Sequence, residues 1–83
     1  MKRLRLTDYF ATSELSLSAA LICLGYTPDS LDKTQNKITF IFSRSEELDK
    51  AVQAFWRREL KIEPLAYFEA QRYLKSRIYG EEK

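Results

Sequence analysis

Residues 15–25 form a leucine- and alanine-rich stretch that contains no charged side chain. At the roughly 100° spacing of a helix, one face carries Leu17, Ala20, Leu21 and Leu24. The opposite face is apolar as well, so the pattern predicts a helix that its own domain encloses, that a partner completes, or both. The stretch is too short to span a bilayer, which needs roughly 20 residues. We expect the rest of the chain to be organised around this helix.

Two further segments have strand patterns. Residues 3–11 alternate leucine with arginine before two aromatic residues, which is typical of an extended segment or an edge strand. Residues 38–42 are β-branched or aromatic throughout, and alternation places Ile38, Phe40 and Phe42 on the core face. The tetrad at residues 33–36 is turn-prone, so a β-hairpin is predicted around it.

Capping residues set the expected bounds of the helices. The first helix starts within residues 13–16, with Thr12, Ser13 or Ser16 as N-cap, and Gly25 ends it. The second starts at the capping box Ser43-Arg44-Ser45-Glu46, with Ser45 as an alternative N-cap, and continues to about Leu60. The third begins at Pro64 and continues to about Tyr79, where Gly80 stops it. Residues 61–62 form either a tight link or a very short strand.

The predicted fold class is α+β, in the order β-α-β-β-α-(β)-α, with an antiparallel, hairpin-containing sheet packed by three helices. If the first strand pairs with the third, the first crossover is a split β-α-β unit, as in half of a ferredoxin-like fold. Eighty-three residues make one domain over residues 1–83, with 1–3 and 80–83 frayed.

Composition excludes several kinds of chemistry. The chain has no histidine and one cysteine, so zinc and most transition metals lack a first shell, and no internal disulfide forms. Two glycines exclude a glycine-rich phosphate loop. No signal peptide is recognisable, so a cytoplasmic location is expected. We expect no enzymatic activity, no cofactor, no metal, no small-molecule substrate and no membrane partner.

Three residues keep an alternative chemical interpretation. Asp29 and Asp32 lie three positions apart and could hold Mg²⁺ with outside ligands, although capping and solvating a turn is their more common role. Cys23 lies within the apolar helix, where a thiol is usually a small core residue and no neighbouring cation lowers its pKa. A catalytic or redox role for Cys23 is the less favoured alternative.

Several short segments recur together in a known family. They are Tyr9-Phe10-Ala11-Thr12-Ser13, Leu24-Gly25-Tyr26, Ile38-Thr39-Phe40-Ile41-Phe42, Ala54-Phe55-Trp56 and Arg77-Ile78-Tyr79. In this order they resemble a family of short proteins of unknown function from bacteria, phages and other mobile elements, over roughly residues 8–79. The resemblance implies a small α+β fold and a mobile-element context, and it supplies no catalytic residues.

Basic residues occur in three clusters, although the net charge is only +2. If they converge in space, they make a phosphate-tracking patch. The candidate nucleic-acid contacts are Arg3, Arg5, Arg57, Arg58, Lys61, Arg72 and Lys75. The alternative interpretation is that these clusters form solvated faces, helix ends whose dipole attracts cations, and a charged edge strand.

Apolar and aromatic positions outside the core stripes are candidates for a protein interface. They are Leu15, Ala19, Ile22, Cys23, Trp56, Phe68 and Tyr73. The preferred hypothesis is a non-enzymatic interaction module that forms a homodimer or binds a protein partner through these residues. The alternative hypothesis is a nucleic-acid-binding accessory protein of a phage or mobile element, with Trp56 or Tyr73 beside the basic clusters.

Overall fold

The computed structural model describes residues 8–34 and 36–80. In chain order it contains β1 (Tyr9–Thr12), α1 (Leu15–Cys23), β2 (Ser30–Thr34), β3 (Lys37–Ser43), α2 (Glu46–Trp56) and α3 (Pro64–Gly80). The predicted α+β class, its three helices and its antiparallel sheet are confirmed. The first predicted strand covers residues 3–11, and its residues 3–7 lie outside the described residues. Residues 1–2 and 81–83, which belong to the predicted frayed ends, lie outside them as well.

The sheet has three strands in the order β1-β3-β2, and β3 is antiparallel to both neighbours. The outer strands β1 and β2 are therefore parallel to each other with β3 between them, which is the expected split β-α-β arrangement. Thr34 pairs with Lys37 at the closed end of the β2–β3 hairpin, so the first half of the predicted turn tetrad belongs to β2. Asn36 has φ 65°, a backbone conformation that asparagine tolerates in tight hairpin turns.

The hydrophobic core lies between one face of the sheet and the three helices. Phe40 and Phe42 are buried on the face that alternation predicted, and the Phe42 ring is 6.4 Å from that of its cross-strand partner Phe10. Each helix adds a buried stripe, which includes Leu17, Leu21, Leu48 and Leu74. Because α1 contacts both α2 and α3, it is the central helix of the helical layer.

The two ends of α1 are built differently. Its N-cap residue is Glu14, whose side chain makes no capping bond, so the predicted serine and threonine N-caps are wrong. At the other end Gly25 adopts φ +101°, Gly25 N donates to Ile22 O and Tyr26 N donates to Leu21 O. This pair of bonds is a Schellman motif, so the predicted stop at Gly25 is confirmed.

Helix α2 begins at Glu46 with the alternative N-cap Ser45, whose hydroxyl accepts a hydrogen bond from Leu48 N at 3.0 Å, so the predicted cap at Ser43 is wrong. It ends at Trp56, so the predicted end near Leu60 is wrong. Arg58 takes the left-handed conformation, φ 63°, and Arg58 N and Glu59 N close a second Schellman motif on Phe55 O and Ala54 O. The left-handed residue turns the chain out of the helix four residues early, and residues 59–63 form no strand.

Helix α3 starts at Pro64 as predicted. The Glu63 carboxylate accepts hydrogen bonds from Leu65 N at 3.1 Å and Ala66 N at 2.8 Å, which satisfies the free amides of the first turn. The structure describes α3 as far as Gly80, which therefore lies within the helix rather than beyond its end, one residue past the predicted end near Tyr79.

Candidate interaction surfaces

The four interface candidates in α1 are enclosed by the domain to different degrees. Ala19 is fully buried in the core, while Leu15, Ile22 and Cys23 are half-buried and pack against it. The apolar character of α1 is therefore accounted for by its position between α2 and α3. Ala19 has no surface with which to contact a partner, and the other three have part of theirs.

Cys23 has an environment that opposes thiolate chemistry. Burial raises the pKa of its thiol, and the nearby Glu63 carboxylate raises that pKa further. A nucleophilic or redox-active cysteine needs the opposite shift. Cys23 therefore behaves as a small apolar residue at the edge of the core.

The three basic clusters occupy different parts of the fold. Arg3 and Arg5 lie outside the described residues. Arg57, Arg58 and Lys61 lie in the segment after α2 rather than in its last turn, and all three are exposed. Arg72 and Lys75 lie on exposed positions of α3.

Arg72 of the third cluster lies away from the second cluster around α3. Arg58 lines a pocket together with Tyr67, whose position on α3 is on the side that packs against the core. Arg72 is five residues further on, which places it about 140° away around the helix. Contacts through α3 therefore do not merge the two clusters into one patch.

The turn after α2 presents an exposed aromatic ring beside its cations. Trp56 is 59% exposed, and its ring lies edge-on to Phe55 with 5.0 Å between centroids and an interplanar angle of 85°. The Schellman hydrogen bonds fix the backbone that carries Arg57 and Arg58. We name Trp56, Arg57, Arg58 and Lys61 the basic turn.

A pocket of about 340 Å³ lies beside the basic turn, where parts of all three helices meet. Its lining is mostly apolar, with one guanidinium and one phenol: Ala20, Phe55, Arg58, Leu60, Ile62 and Tyr67. The Tyr67 hydroxyl also accepts a long hydrogen bond, 3.4 Å, from Gln71 Nε2. The pocket is open to solvent rather than enclosed.

The outer face of α3 carries large apolar side chains that the core does not use. Leu65 is 60% exposed and Phe68 is 53% exposed, and Leu65 points roughly 180° away from the buried Leu74. The Arg72 guanidinium lies 5.8 Å from the centroid of the Phe68 ring, in cation–π range. Glu69 is exposed on the same face. We name Leu65, Phe68, Glu69 and Arg72 the outer α3 patch.

A second arginine–aromatic pair lies further along α3. The Arg77 guanidinium lies 5.8 Å from the centroid of the Tyr73 ring, and Arg77 Nη1 donates to the Tyr73 hydroxyl at 3.0 Å. The Tyr73 hydroxyl therefore already has a hydrogen-bond donor within α3, although the side chain remains 43% exposed. This internal pairing makes it a weaker contact candidate than Phe68.

Sequence reasoning missed Leu65 and Glu69. The signal was present in the spacing, because Leu65 and Phe68 fall outside the stripe Tyr67, Ala70, Leu74 and Ile78 that predicts the core face. A helix with apolar residues on two opposite faces either has neighbours on both sides or exposes one face. In this fold the face that carries Leu65 is exposed.

The two aspartates keep structural roles. Asp29 accepts a short hydrogen bond from the Ser43 hydroxyl, and Asp32 Oδ1 accepts one from the Thr34 hydroxyl at 2.7 Å. Within residues 8–34 and 36–80, no group of three or more histidine, cysteine, aspartate or glutamate side chains is arranged to hold a metal ion. In the same ranges no helix has the length and hydropathy to cross a membrane.

Together these features define a small α+β domain with a three-helix layer on one face of its sheet and two exposed aromatic surfaces. A family model described as "Domain of unknown function (DUF5659)" matches residues 7–80, nearly the whole chain, and the chain belongs to this family. The resemblance to a family of unknown function is confirmed to that extent. Comparisons with curated proteins and with solved structures give no match.

Proposed function

We propose that this domain is a non-enzymatic, self-associating interaction module whose contact surface is the outer α3 patch. The observation that carries the proposal is the exposure of Leu65 and Phe68, both more than half exposed on the helix face opposite the core. Exposed large apolar side chains grouped on one face are typical of protein contact sites. Of the two surfaces considered from the sequence, the apolar first helix and the edge aromatics, the proposal keeps the edge aromatic Phe68 and adds Leu65 beside it.

The outer α3 patch is complementary to itself. Its apolar centre is flanked by one acid and one base, Glu69 and Arg72, and the Arg72 guanidinium lies over the Phe68 ring. In a two-fold dimer the same surface meets itself with its residues in reversed order. In an antiparallel pair of α3 helices, Glu69 of each copy faces Arg72 of the other when the two-fold axis passes midway between these two residues, and the two Phe68 rings then lie on either side of the axis.

The size of the patch limits the affinity. Specific interfaces usually bury about 1,200–2,000 Å², and four side chains from each copy cover less than that. We therefore expect a weak dimer, with a dissociation constant on the order of 10–100 µM. Self-association at this strength responds to local concentration, which suits a module that assembles when other parts of a complex bring two copies together.

The non-enzymatic part of the proposal is supported by the chain's chemistry. The chain has no histidine, and burial and Glu63 raise the pKa of its one thiol, Cys23. General acid–base and nucleophilic catalysis usually depend on such groups with pKa values near neutrality. The proposed setting is the bacterial cytoplasm. The gene would belong to the bacterial genome itself, to a phage or to another mobile element.

Charge reversal across the patch tests the proposal. The Glu69→Arg variant carries two positive charges in the patch, and the Arg72→Glu variant carries two negative charges. We expect each variant alone to be monomeric in sedimentation equilibrium, because like charges meet across the two-fold axis. An equimolar mixture of the two variants should form a 1:1 heterodimer, because each then meets the opposite charge.

The matched control is Lys50→Glu, the same kind of charge reversal at an exposed position of α2. It should self-associate like the unmodified protein. A wild-type protein that stays monomeric at about 500 µM, well above the dissociation constant expected of so small a patch, contradicts the proposal. So does a mixture of Glu69→Arg and Arg72→Glu that shows no association beyond that of either variant.

A further inference from the structure

We propose that the basic turn and the pocket beside it form a binding site for single-stranded nucleic acid. The turn brings one exposed indole ring and three cations together within six residues of chain. Binding of single strands without sequence preference uses this combination, in which cations follow the phosphates and aromatic rings stack on bases. The site uses none of the four residues of the outer α3 patch and does not depend on self-association.

Trp56 is the first element of the site. It is the only tryptophan of the chain, and more than half of its surface is exposed although it follows the core stripe of α2. Its T-shaped contact with Phe55 holds the ring in one orientation, so little side-chain freedom is lost when a base stacks on it. Base–aromatic stacking contributes about 1–3 kcal/mol per base, which an exposed indole supplies without any change in the fold.

Arg58 is the second element. A left-handed residue after a helix is most often glycine, as Gly25 is after α1, because a Cβ atom is strained in that conformation. Arginine at this position carries that strain, and its guanidinium lines the pocket without an ion pair in the described part of the chain. The helix dipole accounts for cations near the end of α2, but it gives no reason for a left-handed arginine or an exposed tryptophan.

The pocket is the third element. Its aromatic side chains, Phe55 and Tyr67, come from different helices, and Arg58 is its only cation. A base that leaves the strand can enter between apolar and aromatic groups while Arg57, Arg58 and Lys61 meet the flanking phosphates. The Glu63 carboxylate, which lies close in sequence, accepts hydrogen bonds from the first amides of α3 and forms no ion pair with these cations within the described residues.

Single strands fit this site better than the alternatives. An acidic peptide would use the cations but would give the exposed indole and the aromatic pocket no planar partner. A duplex keeps its bases stacked, so only its phosphates would reach the turn. The site therefore favours a ligand that carries phosphates and accessible planar bases on one chain.

Trp56 provides a direct readout, because all indole fluorescence of this protein comes from the proposed site. Titration with a single-stranded oligonucleotide of about ten nucleotides should quench and shift this emission by stacking. Contact with about three phosphates predicts a decrease in affinity of roughly 20-fold between 50 and 200 mM salt. Poly-glutamate at the same charge concentration should leave the emission nearly unchanged.

Two variants separate the elements of the site. Arg58→Gly removes the guanidinium and relieves the backbone, so it should fold at least as well as the unmodified protein. We expect it to bind the oligonucleotide about fivefold to tenfold more weakly, as for the loss of one arginine contact. Arg57→Gln with Lys61→Gln should weaken binding by a similar factor and flatten the salt dependence. The control, Lys37→Gln with Lys50→Gln, removes two exposed cations elsewhere and should have little effect.

Several outcomes would overturn the proposal. Absence of quenching at about 20 mM salt removes it, since phosphate contacts are strongest there. Equal quenching by poly-glutamate would mean that the site binds an acidic protein segment rather than nucleic acid. Equal weakening by the Lys37 and Lys50 control assigns any binding to overall charge rather than to the basic turn.

Discussion

Helices α1 and α3 both lack a clear polar face, yet the fold gives this property opposite meanings. α1 lies between α2 and α3, and five consecutive residues, Leu17 to Leu21, are buried. α3 has α1 on one side only, so Leu74 is buried while Leu65 and Phe68 on the other side are exposed. The difference shows that an apolar face indicates a contact, and that the number of neighbouring elements decides whether the contact lies inside the domain.

The largest expected effect separates the apolar residues of the two helices. Leu21→Ala in α1 leaves a cavity in the core and should lower the free energy of unfolding by about 2–5 kcal/mol, a large part of the stability of a small domain. Leu65→Ala in α3 should change it by less than about 0.5 kcal/mol, because the side chain is already 60% exposed. Urea denaturation followed by circular dichroism measures both.

The contrast between α1 and α3 is contradicted if Leu21→Ala and Leu65→Ala lower the free energy of unfolding by similar amounts. A loss of more than about 2 kcal/mol for Leu65→Ala at dilute concentration would place Leu65 in a packed environment. If that loss grew with protein concentration, it would instead report the self-association of the outer α3 patch.

Much of the fold followed from local signals in the sequence. The strand at residues 38–42, the hairpin, the Ser45 cap and Pro64 at the start of α3 each depend on a few adjacent residues, and all are confirmed. The end of α2 was not predictable in this way. Arg58 is a poor left-handed residue by intrinsic preference, and only the surrounding structure holds it there.

The candidate surfaces were less predictable. Trp56 and Phe68 were identified because an aromatic ring at the edge of a core stripe is visible in the spacing. Ala19 was chosen from the same kind of pattern and is fully buried, because a sequence does not show that α1 has helices on both sides. Whether basic clusters meet depends on long-range packing, which places Arg72 about 140° around α3 from Tyr67, beside the second cluster.

Ser18 provides a test of how completely α1 is enclosed. Its hydroxyl is fully buried and is the buried side-chain polar atom without a hydrogen-bond partner in the described residues. Ser18→Ala removes that unsatisfied group and adds helix propensity, so it should stabilise the protein by about 1–2 kcal/mol. Thermal denaturation checks the sign. Destabilisation would show that the hydroxyl has a partner, such as a buried water.

Smaller effects are expected at the ends of α1 and α2, where Gly25 and Arg58 both adopt the left-handed conformation. Gly25→Ala should destabilise by roughly 1 kcal/mol through its backbone conformation alone, because nothing lies within 4 Å of the added Cβ. Arg58→Gly should stabilise by a similar or smaller amount. Gly80→Ala is the control, since it lies in α3 with open space around it and a helical residue favours alanine. Equal effects of Gly25→Ala and Gly80→Ala would exclude the backbone explanation.

The smallest effect concerns the far end of α3. Lys33 on β2 donates from Nζ to Ile78 O at 3.0 Å, so a cation of the hairpin meets the negative end of the helix dipole. Lys33→Met should cost roughly 0.3–0.5 kcal/mol at low salt and less at high salt, because exposed charge contacts are screened. Amide hydrogen exchange in the last turn of α3 should accelerate.

The control is Lys37→Met, which replaces an exposed lysine of the next strand, β3, and should leave that exchange unchanged. If both variants accelerate it equally, the hairpin charge as a whole, rather than the single hydrogen bond, stabilises the end of α3.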